Sequence, residues 1–80
     1  MKVTEKQAAF LIKFVNNDIV SDHGWEDTDA SAWNADLCED RSEAAVFGSL
    51  LRLGLMADNG ESCWLTDAGR VVLRNLLGKM

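Results

Sequence analysis

Apolar positions recur along this chain in two periods, and the switches between them mark its elements. In residues 5–17, Ala8, Leu11, Ile12 and Val15 fall at helical spacing, with Phe10 and Phe14 flanking the stripe. Thr4 stands before it and Gln7 three residues further on, the two halves of a capping box, so a first helix is expected over 5–17. Asn16-Asn17-Asp18 weakens the helical signal and Gly24 breaks it, which predicts a loop over 18–28. Thr28 or Asp29 then suits the cap of a short second helix over 30–38, with Ala30, Trp33, Ala35 and Leu37 as its apolar positions.

Glu39-Asp40-Arg41 reads as a turn and Ser42 as the N-cap of a third helix over 43–53. At 100° per residue Val46, Leu50 and Leu53 point together toward a core, with Phe47 and Leu51 on the flank, and Gly54 stops the helix. A hairpin is expected over 55–65: Leu55-Met56-Ala57 and Ser62-Cys63-Trp64-Leu65 form its arms, and Asn59-Gly60 closes a two-residue type I′ turn. Thr66 caps a last helix over 67–78, with Ala68, Val71, Val72 and Leu76 on one face and Leu73 and Leu77 beside it.

The stretch DRSEAAVFGSLLRLGLMADNGESCWLTDAGRVVLRNL, from Asp40 to Leu76, combines several of these features. A helix ends in Leu53-Gly54-Leu55, a tight hairpin follows, and Leu65-Thr66-Asp67-Ala68-Gly69 opens another helix. This stretch resembles the second half of a winged helix-turn-helix domain, most closely the compact MarR-like type. The order of elements extends the likeness over nearly the whole chain, although residues 18–40 match only in length and rhythm. The resemblance implies a single domain over 1–80, mainly α with a small β-hairpin wing, and a short extended piece near Trp25 to Thr28 that pairs with the wing. It further implies a small non-enzymatic DNA-binding regulator that places helix 43–53 in the major groove of duplex DNA. Reading paired half-sites would need a homodimer, for which the first and last helices are the expected surfaces.

Charge complicates that expectation. The formal net charge is −5, and it is concentrated in one segment. Residues 18–43 hold nine acids (Asp18, Asp22, Glu26, Asp27, Asp29, Asp36, Glu39, Asp40 and Glu43) against Arg41, while the flanking segments are slightly basic. Such a segment repels a polyanion unless it faces away from it. An acidic interaction module on the same fold, gripping a basic partner protein through residues 18–43, is therefore the competing expectation. The 48% apolar content and absence of proline are those of an ordinary globular chain. No run approaches the roughly 20 apolar residues of a membrane span, and the polar start Met1-Lys2-Val3-Thr4 has no signal core, so a cytoplasmic, unprocessed protein is expected.

For DNA, the contact candidates are Arg41, Ser42, Ala45, Ser49 and Arg52 on the third helix. Arginine bonds guanine edges bidentately, and hydroxyls suit phosphate. Arg70 and Arg74, one turn apart on the last helix, form a further basic spot or a solvated face. The wing tip Asp58-Asn59-Gly60-Glu61 offers no cation for a minor groove. For a basic partner, the candidates are Asp27, Asp36, Glu39, Asp40 and Glu43, with Ala44 and Gly48 allowing close approach. Gly48 could equally clear the second helix inside the domain. Cys38 and Cys63 are expected to be packed, reduced thiols, and they share no ligand spacing with His23, so neither metal nor cofactor is expected. Trp25, Trp33 and Trp64 could stack bases but suit core and edge packing better. No nucleophile or glycine-rich cradle accompanies the carboxylates near His23, so no enzyme is expected.

Overall fold

A computed structural model describes residues 3–78 of the chain. Helix α1 runs Glu5–Val15 behind the expected capping box: Thr4 Oγ1 accepts from Gln7 N–H at 3.1 Å, and Thr4 N–H donates to Gln7 Oε1 at 2.9 Å. It ends two residues earlier than expected, with Asn16 as its C-cap. Its buried face is Phe10, Leu11 and Phe14: of the expected stripe Leu11 is buried and Val15 packs part-buried against the core, but the two flanking phenylalanines, which remove more apolar area from water than alanine and valine, form the centre of the face.

The expected loop 18–28 is replaced in part by helix α2, Asp18–His23. Asn17, read from sequence as a helix weakener, is its N-cap, with Oδ1 accepting from Ile19 N–H at 3.0 Å. Val20 is fully buried beneath it, and Gly24, at φ 88°, ends it. The expected helix 30–38 is likewise divided. Ala32–Trp33 is strand β1, and only Asn34–Leu37 is helical, as the single turn α3. Thus Ala32–Trp33, not 25–28, is the extended piece that pairs with the wing. Ala32 is buried and Trp33 exposed, the alternation of a strand with one wet face.

Helix α4, Arg41–Arg52, starts two residues before its expected position. Its N-cap is Asp40, whose carboxylate accepts from Glu43 N–H at 2.8 Å, and not Ser42. A carboxylate in that place also meets the positive end of the helix dipole. Phe47 and Leu50 are buried, and Phe47 stacks on Phe10 with ring centroids 5.6 Å apart. Leu53 is 41% exposed: it keeps helical dihedrals as the C-cap but lies at the very end of the helix, and the fully buried Leu55 fills the core instead. Gly54, at φ 75°, closes the end in a Schellman motif. Its N–H donates to Leu51 O, and Leu55 N–H donates to Leu50 O, both at 3.1 Å.

Strands β2, Met56–Asp58, and β3, Ser62–Leu65, form the hairpin. The sheet is three-stranded and antiparallel in the order β1-β3-β2. The turn differs from type I′. Only Gly60 has positive φ (94°), and Asn59 pairs across to Ser62 through its N–H at 3.1 Å, so the central residues are Gly60-Glu61. Asn59 Oδ1 accepts from the N–H groups of Glu61 and Ser62 at 3.0 and 2.9 Å, which fixes the turn through a side chain.

Helix α5, Asp67–Gly78, is capped by Thr66 as expected. Thr66 Oγ1 accepts from Gly69 N–H at 3.1 Å and donates to Gly54 O at 2.5 Å. Its buried residues are Gly69, Val72 and Leu73, while Ala68 and Val71 face out. Gly69 sets that phase, because a Cβ there would lie 1.9 Å from Leu55 O, so only glycine lets α5 cross this close to β2. The described residues share one core, from Phe14 and Leu11 through Leu37 and Leu50 to Cys63 and Leu73. The protein is mainly helical with a small three-stranded antiparallel sheet, an arrangement compatible with a winged helix. No helix among the described residues is long and apolar enough to cross a membrane.

Candidate nucleic-acid interface

Helix α4 lies with Phe47 and Leu50 inward, so its outward line is Arg41, Ala45, Gly48 and Arg52, four positions within about 60° of one another at 100° per residue. Both arginines are exposed, and among the described residues neither forms an ion pair. Eleven helical steps of 1.5 Å separate them by about 16 Å. Between them the surface is nearly bare backbone. A Cβ at Gly48 would meet only Arg52 Nη1, at 3.9 Å, so Gly48 clears no neighbouring helix inside the domain. Ala44 is exposed at one edge of this line, and Ser42 at the other, beside a shallow groove between α1 and α4.

The remaining DNA candidates are already engaged. Ser49 accepts from Gln7 Nε2 at 3.0 Å and donates to Val46 O at 2.6 Å, which ties α4 to α1. The Arg70 side chain is only 13% exposed; it donates to Leu65 O at 3.1 Å and pairs with Asp67, so it fastens α5 to β3. Arg74 stands 3.6 Å from Glu26 and remains half-exposed. The sequence placed Arg70 and Arg74 together as a basic spot, yet the two make separate local pairs.

The acids are dispersed. Glu43 turns inward, away from the arginine line, and meets Lys13 Nζ at 2.5 Å. Glu39 lies 3.6 Å from the same ammonium, which also donates to Leu37 O at 3.1 Å. The hydrogen bond that Lys13 donates to Glu43 raises the Lys13 pKa above its ordinary value against the opposing effect of burial, and the Glu39 and Glu43 charges raise it further. Lys13 therefore joins α1, α3 and α4 and neutralises carboxylates that would otherwise crowd the start of α4. No spacing rule picks out Lys13 as that joint, because its partners lie 24 and 30 residues away. Asp40 is occupied as the cap, Asp27 accepts from Asp29 N–H at 2.8 Å in the turn after α2, and Asp36 lies near the end of α1. Ala44 and Gly48 belong to the exposed side of α4. The expected acidic surface of residues 18–43 is thus divided among separate places.

The cysteines are both free thiols. Burial pushes Cys63 up to about 12, and burial with the neighbouring Glu43 charge raises Cys38. Trp25 packs part-buried against the core, whereas Trp33 is exposed. Comparisons with protein-family models, with characterised proteins and with solved structures find no match for this chain.

Proposed function

We propose that the chain is a winged helix-turn-helix protein of the compact MarR-like type, a non-enzymatic cytoplasmic regulator that binds duplex DNA through α4. The observation that carries this reading is the exposed Arg41–Ala45–Gly48–Arg52 line. A major groove is about 12 Å wide, so two cations about 16 Å apart reach phosphates on both lips while the side-chain-poor centre admits the helix. Glu43 faces α1 rather than this line, and Lys13 compensates its charge. The free thiols accord with a reducing compartment. Two copies would supply two such lines, and the half-exposed Val71 on α5 supports pairing through the outer faces of α1 and α5.

Titration with random duplex DNA at low salt tests the reading. Binding is expected in the range of roughly 10⁻⁴ to 10⁻⁶ M, weakened by about 1–3 kcal/mol in Arg52→Ala if that guanidinium meets a base edge. An absence of binding at high micromolar protein would overturn it.

A further inference from the structure

The outer face of the sheet has a character of its own. Ala32, Cys63 and Leu65 turn to the core and are buried, so strand alternation turns Trp33, Ser62 and Trp64 to the opposite face. Trp33 stands across from Ser62, and Trp64 across from Ala57. The two indoles are therefore diagonal neighbours, with Cα atoms about 7–8 Å apart. Trp33 is 51% exposed. Ile19, on α2 and 44% exposed, borders the same shallow hollow as Ser31, Ala32, Trp33 and Ser62. Ile19 and Trp33 both lie outside the buried core cluster. Exposed tryptophan beside exposed isoleucine is costly in water unless something covers it, and tryptophan is among the residues that most often anchor interfaces.

The border of this patch is acidic. Asp18 and Asp22 flank Ile19 along α2. On the other side, the N–H of Asn34, the residue after Trp33, donates to Glu61 O at 2.8 Å, which brings Glu61 to that edge, whereas Asp58, opposite Cys63 and bonded to Asn34 Nδ2 at 3.2 Å, belongs to the core-side face of the sheet. Asp18, Asp22 and Glu61 are all exposed. Residues 14–40 and 53–69 contain no lysine or arginine.

We propose that this face docks a basic segment of another protein, with an arginine over the Trp33 indole and an aliphatic side chain against Ile19. A cation over an indole face is attracted by the ring, and the carboxylates of Asp18, Asp22 and Glu61 steer and hold further cations. A second copy of this chain is disfavoured, because it would bring its own carboxylates against these, and nucleic acid is repelled for the same reason. The surface is separate from α4, so it stands or falls independently of DNA binding.

The probe is a blocked Arg-Leu-Arg-Leu-Arg-Leu peptide, with its Glu-Leu counterpart as control, followed through the three indole N–H resonances. The arginine peptide should move the Trp33 resonance saturably and leave Trp25 in place, and 0.5 M salt should weaken the effect. Trp33→Ala and Ile19→Ala should each weaken binding at least tenfold with little change in melting temperature, since both side chains lie outside the core. Asp22→Asn should weaken it severalfold, and Arg52→Ala should leave it unchanged. The proposal is overturned by a Trp33 resonance that ignores millimolar peptide or responds equally to the glutamate control. A Trp33 shift that grows with protein concentration alone would assign the face to a second copy, and one caused by duplex DNA would assign it to nucleic acid; either result overturns a basic protein partner.

Discussion

Two glycines on helices of this protein respond to the same substitution in opposite directions. At Gly69, alanine gains about 1 kcal/mol of helix propensity but drives a methyl group to within 1.9 Å of the Leu55 carbonyl oxygen, backbone that cannot swing aside. Overpacking of this kind costs about 1–3 kcal/mol or more, so Gly69→Ala should lower the denaturant midpoint. At Gly48 nothing stands closer than 3.9 Å, so Gly48→Ala should stabilise by up to about 1 kcal/mol, worth roughly 4–8 °C in melting temperature for a domain of this size. If α4 enters a groove, the same methyl group should weaken DNA binding, and measuring both quantities on one variant shows whether the glycine serves a ligand. Cys63 gives a pH signature. Its folded pKa, near 12, lies above the ordinary value of 9.0, so its contribution is fully present below pH 9 and is lost as pH rises toward 12. Chemical denaturation across that window should show stability falling in the parent and a flatter profile in Cys63→Ala. A thiol reagent at neutral pH should modify Cys38 well before Cys63.

At the scale of elements, local chemistry made the second half of the chain legible and left residues 18–38 obscure. The capping box at Thr4, the glycine stop at Gly54, the hairpin and the Thr66 cap all depend on neighbours a few residues away, and each forms where the sequence places it, save that the hairpin turn is centred one residue later, on Gly60-Glu61. Strand β1 has only two residues and exists through its pairing with β3, thirty residues downstream, which no local period announces. Helix phase was less legible than helix existence. Counting apolar positions gave alanine and phenylalanine equal weight in α1, and it ran the period of α4 one residue past its end. In the candidate site, Arg41 and Arg52 were readable because they lie on one surface of one helix. The engagement of Ser49, Arg70 and Glu43 was not, because their partners come from other elements or from the backbone. The corrected end of α4 gives a direct test: Leu50→Ala should cost about 2–5 kcal/mol, whereas Leu53→Ala, at a site 41% exposed, should cost well under half as much. Equal losses in urea titrations would restore Leu53 to the core.

For the molecule as a whole, the balance of charge limits the DNA binding proposed above. Among the described residues Lys13, Arg70 and Arg74 have acidic partners, whereas Arg41, Arg52 and Lys6 have none; Lys2 and Lys79 lie outside the described residues. Two or three phosphate contacts per copy imply a shallow salt dependence, a slope of log K against log salt of about −2 to −3, far less than for strongly basic binders. Arg41→Ala should reduce that slope by about one unit if Arg41 touches phosphate. A slope steeper than −5 would require cations that α4 does not offer, and with them a different DNA-facing surface or several copies acting together.

The joint at Thr66 has a consequence for how this chain can change. Its N–H donates to Leu55 O at 3.1 Å and its hydroxyl to Gly54 O, so the hairpin enters and leaves the domain through one fastened point. With its ends fixed there, the hairpin is a closed loop, and the entropy of closing a loop grows only logarithmically with length: doubling it costs about 0.6 kcal/mol. The tip at Gly60-Glu61 is exposed and lies at the end of the sheet away from that joint. Insertions there leave the packing of Leu55, Gly69 and Leu73 untouched. An acidic hairpin with such short arms is therefore open to lengthening and to a reversal of charge at its tip at little thermodynamic cost.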